Sequence, residues 1–216
     1  MLNLDWAPAQ NLFTMSANKA HKRKEICDIA ARLFAKKGFE KTTTRDISKS
    51  VGISNGALYY YFSSKEDLLY QILDETLSEG LKLIKEIEQS DKSLKGKLVE
   101  ITSLYTRYLS SDINKMKLLA NEQKSLKPTH KKILDQKQRD YLKVFIKILE
   151  DLRREGKMQE IDTTVAAFAF FGMAHWTYRW YDPKGKIKQD QLAELYSRIF
   201  TRGIYSDRPS QNKSDV

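Results

Sequence analysis

Residues Thr42 to Lys65 read TTTRDISKSVGISNGALYYYFSSK, two short helix signals on either side of a glycine. Thr43, with Asp46 three residues on, has the pattern of a capping box, and Ile47 and Val51 supply one apolar face. A helix is therefore predicted over 45–51. Gly52 follows where a left-handed backbone is needed to stop it. Ser54 then caps a second helix over 55–61, small-sided at its start and closed by three tyrosines. Helix, glycine-bearing turn and helix together make a helix-turn-helix.

Working outward, Ile26, Ile29, Ala30, Leu33 and Phe34 fall at i, i+3, i+4, i+7 and i+8, which predicts a first helix from Lys22 to Lys37. Gly38 ends it, and Phe39 can fold back on its stripe. Ser64 and Asp67 repeat the capping pattern and open a long fourth helix, apolar through Leu69, Ile72, Leu73, Leu77, Leu81 and Ile84. A fifth helix is marked by Leu98, Ile101, Tyr105 and Leu109, and a short sixth by Ile113 to Glu122. A seventh begins at Pro128 and stops before Gly156. The eighth, Thr163 to Tyr181, is apolar on nearly every side, which predicts burial all round. A ninth runs from about Gln189 to Tyr205. With only nine glycines and four prolines in 216 residues, and no alternating apolar run, the expected fold class is all-α.

These residues also resemble a known family. Ile26, Ile29, Ala30, Leu33, Phe34, Gly38, Phe39 and Thr43 begin the match. Thr44, Ile47, Gly52, Ser54, Gly56, Leu58, Tyr59, Tyr61, Phe62, Lys65, Leu68 and Leu69 complete it, and together they resemble the signature of the TetR family of bacterial transcriptional regulators. The resemblance covers residues 22–70. Ser48 and Val51 depart from the commonest pattern, standing where alanines are usual, yet both are small enough for helix packing. The resemblance implies an N-terminal three-helix helix-turn-helix DNA-binding domain over 21–68. A C-terminal helical ligand-binding and dimerisation domain over 69–206 would follow. Residues 1–20 are expected to be a disordered arm, with Met15 an alternative start, and 207–216 a disordered polar tail.

In a helix-turn-helix the second helix lies in the major groove with its first residues against base edges, which here are Asn55, Gly56 and Ala57 behind the Ser54 cap. Asn55 can pair with adenine through both groups of its amide, and Gly56 lets the backbone come close. The resemblance implies phosphate contacts by Tyr59 and Tyr60, and a backbone clamp at Thr44 and Arg45. Lys65 would add charge beside helix amides that favour an anion. Leu58, Tyr61 and Phe62 are expected to pack the small core, although any of the three consecutive tyrosines can be the inward one, since a helix turns about 100° per residue.

The last two helices, about 163–205, carry more apolar surface than one bundle needs, and in the family such helices pair with their copies. A homodimer on a palindromic operator of double-stranded DNA is therefore expected, with its two reading helices about 34 Å apart. Tyr105, Tyr108, Tyr141, Phe145, Phe171 and Trp176 are candidates to line a cavity for a small hydrophobic effector, although aromatics at helical spacing are more often core. Residues 175–185, HWTYRWYDPKG, resemble the end of the eighth helix in family members that respond to acyl-CoA thioesters. Arg179 would then meet CoA phosphates, or instead form an ion pair at the dimer interface. The expected mechanism is a repressor released when its effector moves the fourth helix; another hydrophobic effector, or activation in place of repression, is the alternative.

The net charge of +10 is concentrated where the helix-turn-helix lies: residues 18–65 hold eleven Lys or Arg against four Asp or Glu. That is what phosphate neutralisation requires, although charge alone fits a solvated basic face equally well. A basic helical adaptor for RNA or anionic lipid would also be basic, but it needs no capped helix-turn-helix. No enzyme is expected, because no nucleophile, acid–base pair or phosphate loop stands at workable spacing; Glu122 and Asp140 are isolated. His21, His130 and His175 are scattered, so neither a metal site nor a cofactor is expected. The single cysteine, Cys27, reads as a small core residue of a cytoplasmic protein. The longest apolar run, Val165 to Ala174, falls short of the roughly 20 residues that span a bilayer, so no membrane partner is expected.

Overall fold

A computed structural model describes the backbone of residues 7–205 and the side chains from residue 17 onward. It divides into two compact units, Met1–Leu73 and Asp74–Val216, a boundary five residues beyond the expected one at 68. Every named element among the described residues is helical, with one isolated bridge pair, Met158 and Tyr205.

The first unit contains α1 (Ala7–Lys37), α2 (Thr44–Val51), α3 (Asn55–Tyr61) and the start of α4 (Lys65–Gln89). α1 begins at Ala7, so residues 7–20, expected as a disordered arm, are helical: Pro8 stands in the first turn, where proline is tolerated, and no further proline or glycine interrupts the sequence before Lys22. The expected tail at 207–216 lies outside the described residues. The buried face of α1 is Ile26, Cys27, Ala30, Ala31 and Phe34, with Phe39 folded back edge-on to Phe34 at 5.1 Å. The α2 capping box forms as predicted. Thr43 Oγ1 accepts from the Asp46 amide at 3.1 Å, and the Asp46 carboxylate accepts from the Thr43 amide at 3.0 Å. Gly52 takes φ +75°, a left-handed conformation that costs a side-chain-bearing residue about 1 kcal/mol or more. The cap of α4 is split between two serines: Ser64 Oγ accepts from the Asp67 amide, while the Asp67 carboxylate accepts from Ser63, not Ser64.

The second unit holds the rest of α4 and α5 (Leu94–Ser111), α6 (Ile113–Asn121), α7 (Pro128–Arg154), α8 (Thr163–Trp176) and α9 (Gln189–Ile204). Short 3-10 turns follow α6 and α8. α9 lies along α5 through Ala193, Ser197 and Thr201, residues one turn apart and small enough for close approach; Thr102 Oγ1 donates to Ser197 Oγ at 2.8 Å in the buried seam. The aromatic centre is Phe145 of α7 stacked on Phe170 of α8 at 5.1 Å, with Phe200 of α9 beside both.

α8 departs from expectation twice. It ends at Trp176, not Tyr181, and it is not buried all round. Ala166, Ala167, Phe170, Phe171 and Ala174 face inward, while Val165 (64 % exposed), Phe168 (59 %) and Trp176 (59 %) face out. An all-apolar helix has no polar side to mark its outer face, so its composition could not show that the chain covers only half of it.

Replacing Thr43 by Ala should lower the stability of the first unit by about 1 kcal/mol in urea unfolding. Asp46 gives that cap a pH signature. The Thr43 backbone and side-chain hydrogen bonds hold its carboxyl below the ordinary 3.8, so its contribution is present above that pH and is lost as the pH falls further.

Candidate nucleic-acid interface and effector cleft

α3 has seven residues and buries only Leu58; Phe62, just past its end, is buried too. The other residues are free for another task. Tyr59 and Tyr60 are 50 % and 67 % exposed and Tyr61 is half-buried, so none of the three tyrosines is the core residue. Ser54 Oγ accepts from the Ala57 amide at 3.0 Å, which commits that hydroxyl to capping. Arg23 of α1 closes the other end of α3: its guanidinium donates to the Tyr61 carbonyl at 2.7 Å and lies over the Phe62 ring. Arg23 was not among the expected site residues, and only the cation's match to a helix C-terminus could have pointed to it.

Gly56 takes an ordinary helical conformation, and a Cβ built there would meet only Ser54 Oγ, at 3.9 Å. Nothing inside the protein requires a glycine at this position, although glycine weakens a helix by about 0.5–1 kcal/mol relative to alanine. Thr44 is half-buried and Arg45 exposed at the start of α2. Asn55 is turned differently from expectation. Its Oδ1 is buried without a hydrogen-bond partner, so pairing with a base edge requires the amide to rotate outward. Lys65 is also tied down. Its ammonium donates to the carbonyls of Phe39 at 2.9 Å and Glu40 at 3.4 Å and sits over the Phe39 ring, holding the turn after α1.

In the second unit a cleft of about 660 Å³ opens among α4, α5, α7 and α8. Of the expected cavity residues, Tyr105, Tyr141, Phe171 and Trp176 line it. Three do not. Phe145 is fully buried in the aromatic centre, and Tyr108 turns its hydroxyl to the Thr76 carbonyl at 2.7 Å. Arg179 lies against the Trp176 and Tyr178 rings, with no ion pair among the described residues. Periodicity shows that an aromatic is inward but not whether it meets a space or another ring.

Sequence reasoning missed His175, Leu77, Gln138 and Arg139, all on the cleft wall. His175 Nε2 lies 2.8 Å from the Tyr105 hydroxyl, and its ring stands among Tyr105 and Phe171. The residue as a whole is exposed, but its ring packs against those of Tyr105 and Phe171, and desolvation there lowers its pKa, so it is neutral at pH 7. Burial raises the Tyr105 and Tyr141 hydroxyls well above their ordinary value, so both remain proton donors. The cleft is therefore an apolar and aromatic surface carrying a few neutral polar groups, with Asp135 and Arg139 as its charged members.

Among the described residues no helix is long and apolar enough to cross a membrane, and no cluster of His, Cys, Asp or Glu suits a metal ion. Two family models match the chain. The one for bacterial regulatory proteins of the tetR family covers residues 26–72, and the one for the tetracyclin repressor-like C-terminal domain covers 91–204. The HTH-type transcriptional repressor KstR2 of Rhodococcus jostii is 28 % identical over 193 residues, 88 % of this chain and 95 % of that protein. The TetR-family regulator PfmR from Thermus thermophilus superposes with a TM-score of 0.77 at 26 % identity, over 82 % of this chain and 97 % of that one. AibR, solved in complex with isovaleryl coenzyme A and operator DNA, has the same fold, with a TM-score of 0.73 at 21 % identity over 82 % of this chain and 97 % of its own. With its helix-turn-helix and most of its second unit matched, this chain belongs to the TetR family of bacterial regulatory proteins, whose members are transcriptional regulators and not enzymes.

Proposed function

We propose that the chain is a ligand-responsive cytoplasmic repressor that binds a palindromic operator as a homodimer. The observation that carries this reading is the bare outer face of α3 at Gly56, a glycine that serves nothing within the protein. In a major groove that gap admits the backbone close to the bases. Asn55 and Ala57 flank it, Thr44, Arg45, Tyr59 and Tyr60 reach phosphates, and Ser54 and Lys65 act by holding the helices that carry them.

The dimer forms through α8 and α9. Val165, Phe168 and Trp176 make a stripe at i, i+3 and i+11 along α8, and Ile199 is the exposed apolar residue on α9. Exposed apolar surface of this kind favours pairing with a second copy. Val165 lies outside the cleft lining, so Val165→Glu should break the dimer without touching the cleft; sedimentation would then give the mass of one chain.

The effector is an acyl-CoA thioester whose acyl chain lies along the apolar wall, a role for which a cleft of about 660 Å³ is of ordinary ligand-site size. Arg139, on that wall, is better placed than Arg179 to meet a CoA phosphate. AibR, with the same fold and bound isovaleryl coenzyme A, is consistent with this choice.

Two measurements test the reading. Gly56→Ala should stabilise the free protein by about 0.5–1 kcal/mol while weakening duplex binding through steric overlap costing about 1–3 kcal/mol. Equal or tighter DNA binding by that variant would remove α3 from the interface. In a mobility shift with duplex from upstream of its own gene, palmitoyl-CoA should lower affinity about 5- to 150-fold. Specific binding that ignores acyl-CoA of every chain length would discard this effector and leave the DNA reading standing.

A further inference from the structure

Tyr141 has two faces. Its ring forms part of the cleft wall, edge-on to Tyr105 at 5.4 Å, and its hydroxyl donates to the Leu77 carbonyl of α4 at 2.8 Å. Tyr108 of α5 donates to the adjacent Thr76 carbonyl, so two tyrosines meet the backbone of one turn of α4. Gly80 makes room for both. A Cβ there would overlap the Tyr141 hydroxyl and come within 3.1 Å of its Cζ and 3.3 Å of Tyr108 Cε1. Glycine in the middle of a helix is destabilising, and here the two tyrosines supply the reason for it. One turn before Tyr141 on α7, Lys137 pairs with Asp74 and donates to Ser78 of the same helix at 2.6 Å. The boundary between the two units falls within α4, between Leu73 and Asp74, immediately before this gripped stretch.

We propose that Tyr141 is the positioning residue through which occupancy of the cleft is passed to α4, by way of the notch at Gly80. This rests on the reading of the cleft as the effector site. With the cleft empty, the hydroxyl docks in the notch and holds α4 in the arrangement that binds DNA. A ligand that displaces the ring withdraws the hydroxyl from Leu77, and α4 loses that anchor.

The test is a double-mutant cycle on a duplex that the wild-type protein selects from a random-sequence pool. Gly80→Ala, which fills the notch, should bind that duplex about tenfold more weakly without any ligand, within the usual range of allosteric coupling. Tyr141→Phe should weaken binding by a smaller factor. The double variant should bind more tightly than Gly80→Ala alone, because removing the hydroxyl relieves the overlap. Adding palmitoyl-CoA should release the wild type and change Gly80→Ala little. Ile148→Val, buried two turns along α7 and away from the notch, should lower the thermal midpoint and leave DNA affinity unchanged. Wild-type affinity in Gly80→Ala, multiplicative effects in the double variant, or an equal loss in Ile148→Val would each overturn the inference while leaving the regulator intact. If palmitoyl-CoA leaves the wild type bound, the effector reading fails and the ligand-free cycle still decides the notch. Failure to select any duplex would sink the regulator reading and this inference together.

Discussion

A helix of seven residues cannot hold itself in water, because isolated helices shorter than about 12–15 residues are marginal even with favourable sequences. α3 is such a helix, and the first unit is organised around that constraint. Ser54 satisfies one of its first amides, Arg23 satisfies a carbonyl at its last turn, and Leu58 and Phe62 pin it from below. Because support comes from the ends and one side, the rest of its surface owes nothing to folding. That freedom leaves Gly56, Tyr59 and Tyr60 available for contacts outside the protein. Lys65 is the converse case: a cation beside the same surface, occupied in holding the turn after α1.

The second unit solves a different problem. It must keep a cleft open in an otherwise close-packed bundle, and an open cleft forfeits the contacts that normally fix side chains. Polar anchors take their place. Tyr105 is held against His175, and Tyr141 and Tyr108 against carbonyls of α4. Around them Phe145, Phe170 and Phe200 form a dry centre with no share in the cleft. Neutral anchors suit such a place, since a charged one would carry a large desolvation cost.

What could be read in advance follows from how local each signal is. The α2–α3 unit was legible almost to the residue because caps and the Gly52 turn act within four positions of where they are written. Helix ends in the second unit, Pro128 among them, were nearly as clear apart from the end of α8. The cleft was not. That Tyr105 lines it while Phe145 is packed solid depends on neighbours far along the chain, and both look alike in a helical stripe. α8 misled for a related reason, since a helix apolar all round does not reveal which half its own chain covers. The tie between Arg23 and Tyr61 spans 38 residues and leaves no local trace.

Cys27 is the sole cysteine of the chain, and it lies 1 % exposed in the core of the first unit. A thiol there is shut off from reagents in solution while α1 remains packed, and reacts only when that unit opens. The rate at which the native protein consumes a thiol reagent is therefore a chemical clock for the opening of the helix-turn-helix core. Because no other sulfhydryl competes, that clock reads the first unit alone without any label being introduced.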